Sequence, residues 1–285
     1  LPDHGPGRPM VAPADLPHVT WRSDFDVPRH DASAVAGDEA ALRAWIRDTV
    51  ACGLTMVEGV ATEPGAGLAI ARRIGFLRQT NFGEMFEVMS KPDPNNLAYT
   101  ALALPLHTDL PNQELPPGYQ FLHCIANDAE GGGSVFADGV AIAEELRDRD
   151  PAAFEMLATV PIPFRFHDED YDIRVHRPVI NLTHDGAVHE IKWNAHIAGV
   201  FDMSEDVMDD YYRSYRAFMA LTRDPAFHLR LKLEAGEMVV FDNRRVLHGR
   251  DAFDPSTGHR HLQGCYVDRG EVLSRLRVLS RDPSD

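Results

Sequence analysis

From Phe76 onward the chain breaks into short segments of β character separated by Gly, Pro, Asn and Asp, and this punctuation constrains the fold more than any other feature. Tyr119 to Ile125, Ser134 to Ala137, Arg174 to Leu182 and Glu237 to Phe241 are the clearest of these segments. Strands this short and this numerous must pair into sheets, so the expected core is β-rich, with helices as insertions. Gly139 to Arg149 and Ser204 to Thr222 are the clearest insertions. In the second, Val207, Met208, Tyr211, Tyr212, Tyr215, Phe218 and Met219 recur at helical spacing, which reads as core packing rather than a ligand site. His184-Asp185-Gly186, between Val179 to Leu182 and Val188 to Trp193, signals a hairpin turn.

The N-terminal quarter follows a different pattern. Residues 1–35 are rich in Pro, Asp and His without periodicity and are expected to form an extended arm or linker, leaving 36–285 as one domain. Asp38 can cap a helix running to about Ala51, with Ala41, Leu42, Trp45, Ile46 and Val50 as its apolar stripe and Gly53 as its stop. Leu54 to Val60 reads as a strand and Glu63 to Ile74 as a second helix ending at Gly75. The fold class expected from the whole chain is mixed α/β, mainly β.

With 285 residues, 44% of them hydrophobic, the chain can bury a sizeable core. Its 28 Lys and Arg against 44 Asp and Glu give a formal charge of −16, which argues against nucleic acid or an anionic membrane surface as partner. Three widely spaced cysteines encode neither a disulfide framework nor a zinc ribbon, and Cys124 and Cys265 read as small buried hydrophobes. No apolar run approaches the roughly 18 residues of a bilayer span, and no signal-peptide pattern is present. Cytoplasm is the expected compartment, and a homodimer is compatible with these features.

A metal site is suggested by Leu104-Pro105-Leu106-His107-Thr108-Asp109-Leu110-Pro111, which places a His and a carboxylate two residues apart near a strand end, where i and i+2 share a face. Such a pair recurs by chance in a chain with 14 His. Gly236 to Arg250 adds a turn, a buried-looking strand and His248; two imidazoles and a carboxylate form a triad that leaves positions open on a non-haem Fe(II). Twelve positions later comes Arg260, whose guanidinium can hold the distal carboxylate of a keto-diacid bidentately. His123, His259 and His261 read as structural strand residues, and the acidic stretch Glu144 to Asp150 as a solvated helix face.

These residues resemble the Fe(II)/2-oxoglutarate oxygenases of the taurine dioxygenase type. The resemblance runs from about Trp21 to Leu279 and includes Asn95 to Thr100, Pro117 to Ile125, Gly131 to Ser134, Asp242-Asn243-Arg244-Arg245-Val246-Leu247-His248-Gly249-Arg250, and Ser274 to Leu279. It implies a distorted double-stranded β-helix (jelly-roll) core with flanking and inserted helices. It implies catalytic Fe(II) on His107, Asp109 and His248, 2-oxoglutarate on Arg260 and Ser134, and O2 as oxidant. A small zinc-binding domain usually precedes the oxygenase domain in this family, and its cysteines are not among residues 1–35.

Within the family the likeness is to hydroxylases of trimethylammonium compounds, above all γ-butyrobetaine, which is converted to carnitine. Phe82, Phe86, Tyr99 and Tyr266 match the aromatic cage around the cation, which offers no hydrogen bonds and is best held by ring faces. Asn96 and Asn194 match residues that bind the substrate carboxylate. Leu110 departs from the family, which has a Tyr there to help hold that carboxylate, so a related acid such as trimethyllysine or trimethylaminoethylphosphonate is the alternative, with His196 as an extra donor. A sulfonate or amino-acid hydroxylase and a non-catalytic jelly-roll that binds a metal or metabolite are the other readings.

Overall fold

The Asp38 carboxylate accepts from Ala41 N at the start of the first long helix, and Gly53 ends that helix at φ 73°, as the sequence predicts. In the computed structural model, which describes Leu16 and residues 18–89 and 100–281, this helix is preceded by shorter elements. The N-terminal series is β1 (Arg29–Asp31), α1 (Ala32–Gly37), α2 (Glu39–Cys52), β2 (Leu54–Glu58) and α3 (Ala66–Ala71). The expected arm thus contains regular structure: β1 pairs in parallel with β2, and Trp21, whose Nε1 donates to Cys52 O at 2.8 Å, is buried. The second helix is shorter than its apolar pattern predicts. Gly65, at φ 92°, delays its start, and beyond Ala71 the N–H groups of Arg73 and Ile74 turn to carbonyls three residues back.

The central part comprises β3 (Met85–Val88), β4 (Leu104–His107), β5 (Tyr119–Asn127), β6 (Glu130–Gly131), β7 (Ser134–Asp138), α4 (Gly139–Arg149), α5 (Pro151–Thr159), β8 (Ile162–His167), β9 (Asp172–Arg177), β10 (Ile180–Leu182) and β11 (Val188–Ile191). The strand expected over 174–182 is two strands, because Pro178 lacks the N–H needed to continue a ladder. The predicted turn at His184-Asp185-Gly186 lies between β10 and β11. The C-terminal series is α6 (Glu205–Thr222), β12 (Leu229–Leu231), β13 (Met238–Asp242), β14 (Val246–Arg250), β15 (Phe253–Asp254), β16 (Arg260–Val267) and α7 (Arg269–Leu279).

Two sheets carry the architecture. The larger runs β1-β2-β13-β5-β16-β3 and the smaller β12-β7-β14-β4. Strand alternation divides their side chains between layers. Tyr119, Phe121, Met238, Val240, Cys265 and Val267 pack outward with α2, α3 and α7. Leu54, Met56, Cys124, Val239, Phe241 and Leu262 of the larger sheet meet Phe136, Leu229 and Val246 of the smaller one. On the far side of the smaller sheet, Val135, Ala137 and Leu247 pack with α4, α5 and α6, where Tyr211, Tyr215 and Phe218 are buried as the aromatic stripe predicts, whereas Tyr212 of that stripe is exposed. The order is therefore helices, sheet, sheet, helices: mixed α/β, mainly sheet. Among the described residues no helix is long and apolar enough to cross a membrane.

A buried ion pair fixes where β14 begins. Arg245 donates through Nη2 and Nε to the Asp138 carboxylate at 2.7 and 3.1 Å and also holds the backbone carbonyls of Val19 and Ala51. Both side chains are at most 3% exposed, so loss of either would leave an uncompensated buried charge. The register that this sets, Val246 opposite Asp138 and His248 opposite Phe136, turns His248 toward the layer between the sheets.

Candidate active site

His248 on β14 lies directly opposite His107 at the end of β4, with ring centroids 4.3 Å apart. Gly249 permits this: a Cβ there would sit 2.4 Å from Leu104 O, so any side chain would push β4 away from β14. Asp109 Oδ1 is 3.2 Å from His107 Nε2 and 3.6 Å from His248 Nε2. The three ligand atoms lie within 4.8 Å of one another, the only such cluster of three metal-binding side chains among the described residues.

The donor set suits a cation. His107 Nδ1 is 3.0 Å from Pro105 O; a carbonyl only accepts, so Nδ1 carries a hydrogen, and Nε2 is the ring nitrogen turned toward Asp109. Burial, followed by the neighbouring His107, pushes the His248 imidazole below its ordinary value and favours its neutral form. Burial alone would raise the Asp109 carboxyl, but His248 and His107 hold it well below the usual carboxylate range. Two imidazoles and one carboxylate turned to a common point fit a divalent transition metal.

The backbone around Asp109 is fixed by a residue whose role the sequence did not reveal. Asn243, fully buried, accepts from Asp109 N at 2.6 Å and donates to Asp109 O at 3.0 Å and Pro117 O at 3.1 Å. Immediately after, Leu110 has φ 54°, the only non-glycine among the described residues in the left-handed region. A bulky residue held there signals a constrained turn at a functional site.

Arg260 opens β16 and is 6% exposed, yet its Nε and Nη1 have no partner within the protein. Burial, then the neighbouring Arg250, pushes this guanidinium down to about 10. A buried cation with unpaired N–H groups fits a ligand carboxylate, which would both neutralise it and accept its hydrogen bonds. Ser134, on β7 opposite Arg250, lines the same cavity.

That cavity, about 390 Å³, joins the metal cluster to Arg260 and to an aromatic wall. Phe86 and Tyr266 pack at 5.1 Å between centroids, tilted by 31°. Phe82 meets Phe166 edge-on at 5.5 Å. Phe166, on β8, is an aromatic that sequence reading missed. Leu110, Asn194 and His196 line the cavity too. Asn194 Nδ2 donates to Thr108 O at 3.3 Å and its Oδ1 accepts from His196 N at 3.1 Å, so this amide also ties the loop to the strand end. Asn112 and Gln120 were likewise unforeseen: both are buried cavity residues with side-chain oxygens that have no partner within the protein. Asn96 and Tyr99 lie outside the described residues.

Of the histidines read as structural, His261 meets Glu87 at 2.5 Å and His123 is 1% exposed. Cys124 and Cys265 are buried free thiols. The acidic stretch is only partly solvated, since Glu145 pairs with Arg22 and Arg149.

Comparison with known proteins gives a consistent answer. The γ-butyrobetaine dioxygenase of Pseudomonas sp. (strain AK-1) is 51% identical over 269 residues, 94% of this chain and 70% of that protein. The human γ-butyrobetaine dioxygenase is 32% identical over 264 residues, 91% of this chain and 68% of the other. Chicken (Gallus gallus) mitochondrial trimethyllysine dioxygenase is 31% identical over 92% of this chain and 65% of its own length. An asparagine oxygenase solved with Fe(II), 3-hydroxyasparagine and succinate superposes with a TM-score of 0.64 over 83% of both chains; at 18% identity this shows a shared fold alone. The model of the taurine catabolism dioxygenase TauD, TfdA family matches residues 18–266, and the chain belongs to that family.

Proposed function

We propose that this protein is an Fe(II)- and 2-oxoglutarate-dependent hydroxylase of a small trimethylammonium acid, with γ-butyrobetaine as substrate and carnitine as product. One observation carries this reading: a His-Asp-His cluster, a buried unpaired arginine and an aromatic wall share one cavity of about 390 Å³. The likeness to γ-butyrobetaine dioxygenases supports the choice of substrate. The two-sheet core is read as a distorted jelly-roll, residues 36–285 as the oxygenase domain, residues 1–35 as its leading arm, and the cytoplasm as its compartment.

His107, Asp109 and His248 would hold Fe(II), which when bound couples dioxygen to the oxidative decarboxylation of 2-oxoglutarate and supplies the oxidant for C–H hydroxylation. Arg260, helped by Ser134, binds and orients the far carboxylate of the cosubstrate. Phe82, Phe86 and Tyr266, with Tyr99, enclose the trimethylammonium group by ring faces, and Asn194 with Asn96 takes the anionic end. This division of labour is positional: with both ends of the substrate held, one carbon between cation and anion faces the metal.

Leu110 favours one alternative. An apolar, left-handed Leu beside the metal cluster offers no donor to a carboxylate, so the alternative is an acid with a different head, the α-amino acid end of trimethyllysine or the phosphonate of trimethylaminoethylphosphonate, with His196 donating. The test is succinate release by anaerobically Fe(II)-loaded protein given 2-oxoglutarate and air, across betaines, trimethyllysine and aminophosphonates, with His107→Ala as the inert comparison. Stimulation by γ-butyrobetaine above all others supports the proposal. No stimulation by any quaternary amine refutes it.

A further inference from the structure

Tyr266 touches the two halves of the cavity with different atoms. Its ring packs against Phe86, while its hydroxyl donates to Asp109 Oδ2 at 2.7 Å. Asn243 holds the Asp109 backbone, taking both its N–H and its carbonyl, which fixes the Cα but does not by itself set how the carboxylate is turned about its own bonds. Such a turn would exchange the two oxygens or present both to one ion. The hydroxyl of Tyr266 selects between these states. With Oδ2 engaged, Oδ1 is the oxygen facing His107 Nε2 and His248 Nε2, at 3.2 and 3.6 Å. The tyrosine is itself well placed: it is 4% exposed on β16, between β5 and β3, with Gln120 opposite it.

We infer that Tyr266 is a positioning residue for the metal site as well as a cage wall, its hydroxyl holding Asp109 so that a single carboxylate oxygen is offered to the metal. This rests on the function proposed above, because it takes Asp109 as a ligand and Tyr266 as part of the cage. One side chain then carries both tasks: the ring that the cation packs against belongs to the residue that orients a ligand. Partners that orient ligands are worth roughly ten- to hundred-fold in metal affinity.

Tyr266→Phe separates the tasks, since it keeps the ring and removes only the hydroxyl. The experiment is titration of the metal-free protein with Co(II), followed by absorbance, for wild type, Tyr266→Phe, Phe86→Leu and His107→Ala, with thermal melting of each in the metal-free state. Tyr266→Phe is expected to melt like wild type, to bind Co(II) roughly ten- to hundred-fold more weakly, and to show an altered d–d spectrum if both carboxylate oxygens engage. Phe86→Leu should bind Co(II) like wild type and instead raise KM for the quaternary amine. Equal Co(II) affinity and spectrum in wild type and Tyr266→Phe overturns the inference while leaving the proposed function standing. Failure of wild type to bind Co(II) more tightly than His107→Ala overturns both.

Discussion

Gly264→Ala is a one-methyl test of how the aromatic wall is built. Gly264 lies opposite Phe86 in the β16–β3 pair, and the ring occupies the space where a side chain would stand. A Cβ at 264 would lie 2.3 Å from Phe86 Cζ, 2.4 Å from Cε2 and 3.0 Å from Leu122 Cδ2. Ordinary contact begins at 3.4 Å, so the ring must shift by about 1 Å off the sheet and into the cavity. The φ of Gly264 is not in the left-handed region, so alanine adds no backbone strain and the contact alone is tested. Overpacking of this kind costs about 1–3 kcal/mol, read by urea unfolding. Displacing one ring of a cation cage costs about 0.5–2 kcal/mol, which is roughly a two- to thirty-fold rise in KM for the quaternary amine at saturating 2-oxoglutarate. In a Phe86→Ala background the same substitution has space, and its stability cost should fall below about 0.5 kcal/mol. An equal stability loss in both backgrounds, or lost stability with an unchanged KM, would refute the reasoning.

Three further outcomes are expected. Arg260→Lys keeps the charge but loses the guanidinium fork, so KM for 2-oxoglutarate should rise roughly ten- to hundred-fold, from about 1.5–3 kcal/mol of charge-assisted bonding, while KM for the amine stays put. Phe166→Leu removes a ring from the wall contributed by β8; about 0.5–1 kcal/mol of cation contact predicts a two- to five-fold higher KM for the amine, checked against unchanged far-ultraviolet circular dichroism. Burial alone would raise the Glu190 carboxyl, but bidentate Arg244 and Lys192 at 2.7 Å pull it down to about 2. Its stabilisation is therefore complete above its ordinary 4.5 and is lost as pH falls toward 2. The stability gap between wild type and Glu190→Gln should accordingly be widest at neutral pH and shrink below about pH 4.5 in urea titrations.

The sequence exposes some of this site and hides the rest for identifiable reasons. His107, Asp109, His248 and Arg260 are visible because each sits on or just beyond a strand whose apolar alternation marks its buried face. The aromatics of β3 and β16 are visible only through family resemblance. Phe166 is hidden because nothing near it in the chain announces that the β8–β9 hairpin lines the cavity; it arrives there through contacts such as Arg165 N to Ile197 O. Asn243 lies in plain view within Asp242-Asn243-Arg244-Arg245, but its bonds to Asp109 cross 134 positions of sequence. Leu110 is legible as a missing hydroxyl, whereas its left-handed backbone is not, since leucine disfavours that conformation and only the surrounding bonds impose it. The shortened α3 and the split at Pro178 show the limits of reading apolar periodicity without its breakers.

Among the described residues the smaller sheet ends at β4, which has β14 as its single neighbour there. One imidazole of the cluster therefore rides on the outermost rail of the sheet and the other on an interior rail. A metal bound across them would act as a rivet through that seam. Without it, the outer rail can part from β14 at a fraction of the cost of unfolding the molecule. Hydrogen exchange should therefore mark Leu104–His107 as the first backbone to quieten when metal is added, well before the amides of β13 in the centre of the larger sheet register any change.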